Sequence, residues 1–176
     1  RRSLAGYYDE AYYESVDWEI KWMVEHGIDF IWDCWYMGGA TDIPYQDTNM
    51  LSPFHTSNGF FDAKYRDQIK FCLMWENTVN NDQWNGTPEE NCERFLNYLA
   101  PFWIEYYFKD PSYYKPGGRP LISIYWAWYN PFGEGRAQMF EEFKQMCIDA
   151  GVGEPLIFQQ MNLEAQTLDL YRSMPG

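Results

Sequence analysis

An aromatic ring, a carboxylate and an amide stand side by side at Trp75, Glu76 and Asn77, directly after an apolar run. The run, residues 69–74, contains no Gly or Pro and predicts a buried β-strand. An ionisable group between Trp and Asn at a strand end is costly unless it is solvated, paired or used. Flat rings beside convergent polar groups are typical of ligand pockets, so this cluster predicts a sugar-binding site.

Two more strand-like runs end in the same kind of cluster. One run ends with Asp33, Trp35 and Tyr36, and a later one ends at Tyr125 with Trp128 close behind it. The recurrence of an aromatic ring beside a hydrogen-bonding group at three strand ends is the main functional signal. The candidate substrate-binding residues are Trp35, Tyr36, Trp75, Asn77, Tyr125 and Trp128.

Two carboxylates, Glu76 and Asp33, are the candidate catalytic residues. Glycoside hydrolysis normally uses two carboxyl groups, about 5–5.5 Å apart for retention and about 6.5–9.5 Å apart for inversion. The two residues lie on successive predicted strands, so a pair is geometrically possible. Asp33 has an equally good structural interpretation, in which it accepts hydrogen bonds from loop amides or pairs with Arg or Lys. Trp35 and Tyr36 can likewise serve only to cover the core.

Predicted strands and helices alternate along the whole chain. Strands are expected at 4–8, 28–36, 69–75, 121–125 and 156–160, and helices at 16–26, 63–68, 136–150 and 163–173. Ser15 is expected to cap the helix at 16–26. A further helix begins at the Thr87 cap, and Pro101 is expected to kink or end it. This alternation predicts an α/β fold with a parallel sheet. Five strands fit a doubly wound sheet or about five-eighths of a barrel, and the pattern does not choose between them.

Size and charge limit the classes of function. The 176 residues are enough for a single domain, 1–176, and 13 basic against 26 acidic residues give a net charge of −13. That balance argues against nucleic acid and anionic membrane surfaces, which require a basic patch. No apolar run is long enough for a membrane span. Aromatic residues make up 20% of the chain, more than a core requires, and suit the apolar faces of sugars.

The four cysteines show no paired spacing. Cys34 and Cys72 fall in predicted strands, whereas Cys92 and Cys147 fall on apolar helix faces, so all four are expected to be free thiols. The chain has two His, neither of them near a Cys. We therefore expect no zinc-type metal site and no cofactor.

Three motifs together resemble the glycoside hydrolase family 99-like and WbsX-like group. They are Gly-Ile-Asp-Phe-Ile-Trp-Asp-Cys-Trp-Tyr at 27–36, Lys-Phe-Cys-Leu-Met-Trp-Glu-Asn at 70–77 and Gly-Arg-Pro-Leu-Ile-Ser-Ile-Tyr at 118–125. The resemblance implies a (β/α)8 barrel that acts on polysaccharide or glycan chains without a metal cofactor. A glycoside hydrolase is the first expectation, and a WbsX-like glycosyltransferase of polysaccharide synthesis is the second. A non-catalytic glycan-binding module is the alternative from another class.

The chain departs from that family in one respect. It lacks the later-strand motif of the Asn-Glu-Trp-x-Glu type that carries the essential glutamates of family 99 hydrolases. The resemblance therefore implies that Asp33 and Glu76 bind substrate, and that further sequence supplies the catalytic glutamates and the remainder of the barrel. It also favours a secreted or periplasmic protein.

Overall fold

The computed structural model describes residues 8–9, 11–36, 59–77, 84–126 and 129–159. Its strands are β1 (Phe30–Tyr36), β2 (Lys70–Glu76), β3 (Leu121–Ile124) and β4 (Leu156–Gln159). Its α-helices are α1 (Tyr13–Glu25), α2 (Pro88–Arg94), α3 (Ala100–Trp103) and α4 (Arg136–Asp149). The helix expected at 163–173, and all but Tyr8 of the strand expected at 4–8, lie outside the described residues.

The four strands form one parallel sheet in the order β1-β2-β3-β4. The α/β class and the parallel sheet predicted from the alternating pattern are confirmed. The predicted and observed strand bounds differ by at most two residues. Among the described residues, no helix is both long enough and apolar enough to cross a membrane.

Successive side chains of a strand point to opposite faces of the sheet, so the register assigns each residue to a face. Phe71 and Trp75 share one face with Trp35, which lies opposite Trp75 in the β1–β2 register. We call this face, defined by Ile31, Asp33, Trp35, Phe71, Leu73, Trp75, Ile122 and Ile124, the helix face. The other is the open face, defined by Trp32, Cys34, Tyr36, Cys72, Met74, Glu76, Ser123 and Phe158. Tyr125 follows β3 directly and interacts with Tyr36 of this face.

Aromatic packing joins the helices to the helix face. The ring of Trp103 lies 5.3 Å from that of Trp75, and the ring of Tyr107 lies 6.3 Å from that of Phe71. Phe143 of α4 extends this layer by packing 5.5 Å from Phe95. The ring contacts between described helices and the sheet all fall on this face, and aromatic side chains therefore form much of the core.

The structure overturns the predicted cap of α1 and one of the two alternatives for Pro101, that it ends its helix. Helix α1 begins at Tyr13, and its N-cap residue is Tyr12 rather than Ser15. Pro101 does not end its helix, because helical backbone continues through Phe108. A π-helical turn, Phe95–Leu99, precedes Pro101, and such wider turns interrupt the regular bonding ladder that a proline cannot complete. The predicted capping box of α2 is confirmed, since Thr87 and Glu90 bond reciprocally.

Candidate functional site

Three side chains stand in a line at the carboxyl ends of three consecutive strands. Tyr36 is the register partner of Glu76. Tyr125 is level with Glu76, because the preceding residues Trp75 and Ile124 are partners and Tyr125 N donates to Trp75 O at 2.9 Å. We call Tyr36, Glu76 and Tyr125 the end row. Ligands of parallel α/β sheets bind at this end of the strands.

The end row offers one sheltered carboxylate between two accessible phenols. Glu76 is 6% exposed, whereas Tyr125 is 37% exposed and Tyr36 is half-buried. Burial, followed by the influence of Cys34 and Glu76, raises the pKa of Tyr36. Tyr36 therefore keeps its phenolic proton at neutral pH and can donate a hydrogen bond. A carboxylate acceptor between phenols that both donate and accept is suited to hydroxyl-rich ligands.

Cys34 belongs to the same region and was not among the predicted site residues. It is half-buried on the open face, two residues before Tyr36 in β1, and interacts with the Tyr36 side chain. Burial, together with Asp33 and Glu76, raises the pKa of the Cys34 thiol despite that contact. The thiol is therefore neutral and not a reactive nucleophile. The alternation of side chains along the strand, applied to position 34, is the signal that would have placed it here.

Asp33 and Glu76 do not form the catalytic pair that sequence made possible. Asp33 lies opposite Leu73 in the register, three residues before Glu76, and this spacing is about 10 Å along a strand. The odd spacing also directs the two side chains to opposite faces of the sheet. Both effects act against the close approach of two carboxyl groups that either hydrolytic mechanism requires. The strands themselves are neighbours, as the pairing required.

Trp35 lies in the core and cannot present its ring to a sugar. It is 0% exposed, and its ring packs 5.5 Å from that of Trp103. Its Nε1 donates to the hydroxyl of Tyr107 at 3.0 Å. The structural interpretation of this residue therefore replaces the predicted substrate contact.

The predicted role of Trp75 needs the same correction. Trp75 is 1% exposed. Its ring lies within 6.3 Å of four others, those of Trp84, Phe95, Trp103 and Phe132. Its Nε1 is buried and has no hydrogen-bond partner among the described residues.

Asn77 holds the backbone after β3 instead of facing a ligand. Its Nδ2 donates to Trp126 O and its Oδ1 accepts from Trp126 N, each at 2.9 Å. The side-chain amide thus makes the two hydrogen bonds that the backbone of a neighbouring strand could make. These bonds fix the chain directly after Tyr125. Asn77 is 3% exposed, so it positions the end row and does not contribute a free polar group to it. Trp128 lies outside the described residues.

The described residues contain no group of three or more His, Cys, Asp or Glu side chains that could hold a metal ion. Compared with protein-family models, with curated proteins and with solved structures, the chain matches none.

Proposed function

We propose that the end row is the sugar-contacting wall of a carbohydrate-active protein of the family 99-like and WbsX-like type. The observation that carries the proposal is the alignment of Tyr36, Glu76 and Tyr125 at the carboxyl ends of three consecutive parallel strands. Glu76 accepts hydrogen bonds from sugar hydroxyls, and the phenols bind the ring faces and rim. Such charge-assisted bonds are about twice as strong as neutral ones.

The proposal includes a (β/α)8 barrel, and two features of the sheet support that architecture. The strands follow one another in chain order, whereas a doubly wound sheet reverses its order at a switch point. The described helices make their ring contacts on the helix face only, and a barrel likewise carries its helices on one side of the sheet. The open face then corresponds to the barrel interior.

Glycoside hydrolase activity is the enzymatic form of this proposal. It requires a second carboxyl group near the sugar, and Asp33 cannot supply it from the helix face. In the hydrolase, Glu76 therefore binds substrate, and other residues transfer the proton, in agreement with the family's separate glutamate motif. The separation of Asp33 from Glu76 also favours a second candidate, a non-catalytic glycan-binding module.

Binding to a panel of neutral oligosaccharides of different linkage, measured with wild type and Glu76→Gln, tests the proposal. The variant keeps the size of the side chain and removes its charge. We therefore expect its affinity for the oligosaccharide to be roughly ten- to hundredfold lower than that of wild type. Glu93→Gln, an exposed carboxylate of α2, is the matched control and should bind normally. Failure of wild type to bind any member of the panel would refute the proposal.

Product analysis of the same mixtures distinguishes the two candidates. Appearance of new reducing ends with wild type supports the hydrolase. Binding without any new reducing ends supports the binding module.

A further inference from the structure

A second candidate site lies on helix α1 and shares no residue with the end row. A cavity of about 520 Å³ opens along one side of the helix and the turn that precedes it. We call it the α1 cavity. It is lined by Tyr8, Tyr12, Glu14, Ser15, Trp18, Glu19 and Trp22.

Four aromatic rings dominate the α1 cavity. Trp18 is 55% exposed, and Tyr12 and Tyr8 are 46% and 43% exposed. The rings of Trp18 and Trp22 lie 6.0 Å apart and are tilted by 40°, because residues four apart on a helix are neighbours on its surface. Exposed aromatic residues grouped in this way mark an interaction site more often than singly scattered ones do.

The electrostatics of the α1 cavity favour a cation. Glu14 and Glu19 supply two carboxylates, and none of the described residues that line the cavity is Lys, Arg or His. The chain as a whole carries a net charge of −13. The Lys21 ammonium lies 5.8 Å from the centroid of the Trp18 ring, but it does not line the cavity and its charge is paired with Glu25 at 2.6 Å.

We propose that the α1 cavity binds a small quaternary ammonium compound of the choline type. The ring faces attract the positive charge that is spread over the methyl groups, the interaction by which aromatic side chains recognise trimethylammonium groups. The carboxylates add long-range attraction. An anionic ligand is repelled by both carboxylates, and a neutral ligand makes use of the rings alone.

Titration with choline chloride tests the proposal, and 3,3-dimethyl-1-butanol is the neutral ligand of matching shape. The indole N–H signals of Trp18 and Trp22 are followed by NMR at constant ionic strength, after assignment with Trp18→Phe and Trp22→Phe. We expect saturable shifts of these two signals with choline. The neutral compound should bind roughly three- to thirtyfold more weakly, which is the range of a cation–π contribution.

Variants locate the binding. Trp18→Ala should weaken choline binding by a similar factor, and Glu14→Gln should weaken it more at low salt than at high salt. Tyr98→Ala, which removes an aromatic residue 43% exposed elsewhere on the surface, should leave binding unchanged. None of these variants touches the end row, so failure of the glycan experiment leaves this test intact.

Three results would overturn the proposal. They are the absence of saturable shifts with choline, equal or tighter binding of 3,3-dimethyl-1-butanol, and equal weakening by Trp18→Ala and Tyr98→Ala. Equal binding of the neutral compound would identify the α1 cavity as an apolar packing surface instead.

Discussion

The two faces of the sheet use the same kinds of residue for different purposes. On the helix face, Trp35 and Trp75 are enclosed by other rings and contribute to stability. On the open face, their chain neighbours Tyr36 and Glu76 lie at the carboxyl ends of β1 and β2. A cluster of adjacent residues is thus divided between the core and the candidate site by the side-chain alternation of a strand. Proximity in sequence is therefore a poor guide to a shared role here.

Replacement of a tryptophan on the helix face should have the largest effect on stability. Trp75→Ala removes a fully buried ring and leaves a cavity, so we expect the free energy of unfolding to fall by about 3–5 kcal/mol. Urea denaturation followed by circular dichroism measures the change.

Trp32→Ala is the matched control, because Trp32 lies on the open face of β1 and is 48% exposed. Trp32→Ala should lower the free energy of unfolding much less than Trp75→Ala does, since less of the Trp32 surface leaves water on folding. Equal costs for the two variants would contradict the division between the faces.

The second-largest loss of stability should follow from removal of the two hydrogen bonds between Asn77 and the backbone of Trp126, which we call the Asn77 clamp. Asn77→Ala leaves the N–H and C=O of Trp126 without their partners, and we expect a loss of about 1–3 kcal/mol in unfolding free energy. Thermal melts compare this variant with Asn97→Ala, an exposed asparagine in the π-helical turn. Asn77→Ala should melt at a clearly lower temperature than Asn97→Ala. Similar melting temperatures would show that the Asn77 clamp does not stabilise the fold.

Alkaline pH should lower the free energy of unfolding gradually, through the buried thiol of Cys147 in the core. Burial raises the pKa of Cys147 to about 12, above the value of about 8.5 in an unfolded chain. Between these values the unfolded state binds fewer protons than the folded state, so the free energy of unfolding falls as pH rises. The Cys147 thiol makes its full contribution to the free energy of unfolding below about pH 8.5.

Urea denaturation at several pH values from 7 to 10 measures this slope. We expect wild type to lose stability more steeply above pH 9 than Cys147→Ala, which has no thiol to titrate at this position. Parallel pH curves for the two proteins would show that Cys147 makes no contribution.

The sequence allowed much of the fold to be predicted, because hydrophobic runs and helix caps act over a few residues. Apolar runs located all four described strands, and the Thr87 capping box located the start of α2. Ser15 failed as a predicted cap, since α1 begins three residues before Val16. Pro101 failed as a predicted helix end because a local π-helical turn accommodates it, and residue propensity does not encode such a turn.

The candidate site was predicted less completely, for a reason of long-range geometry. Glu76, Tyr36 and Tyr125 were found because each follows an apolar run. The face that each neighbour occupies depends on strand register and on which side the helices pack. Trp35 and Trp75 were therefore assigned to the site, although tertiary packing places both in the core.

The most direct test compares the adjacent residues Trp75 and Glu76 in one oligosaccharide titration. Calorimetric titration with the tightest-binding neutral oligosaccharide is performed on Trp75→Phe and Glu76→Gln, with urea denaturation of both. We predict that Glu76→Gln loses roughly ten- to hundredfold in affinity. Trp75→Phe should lose stability and keep its affinity as long as it stays folded. Unchanged affinity in Glu76→Gln, or a selective loss of affinity in Trp75→Phe, would contradict the separate roles of the two faces.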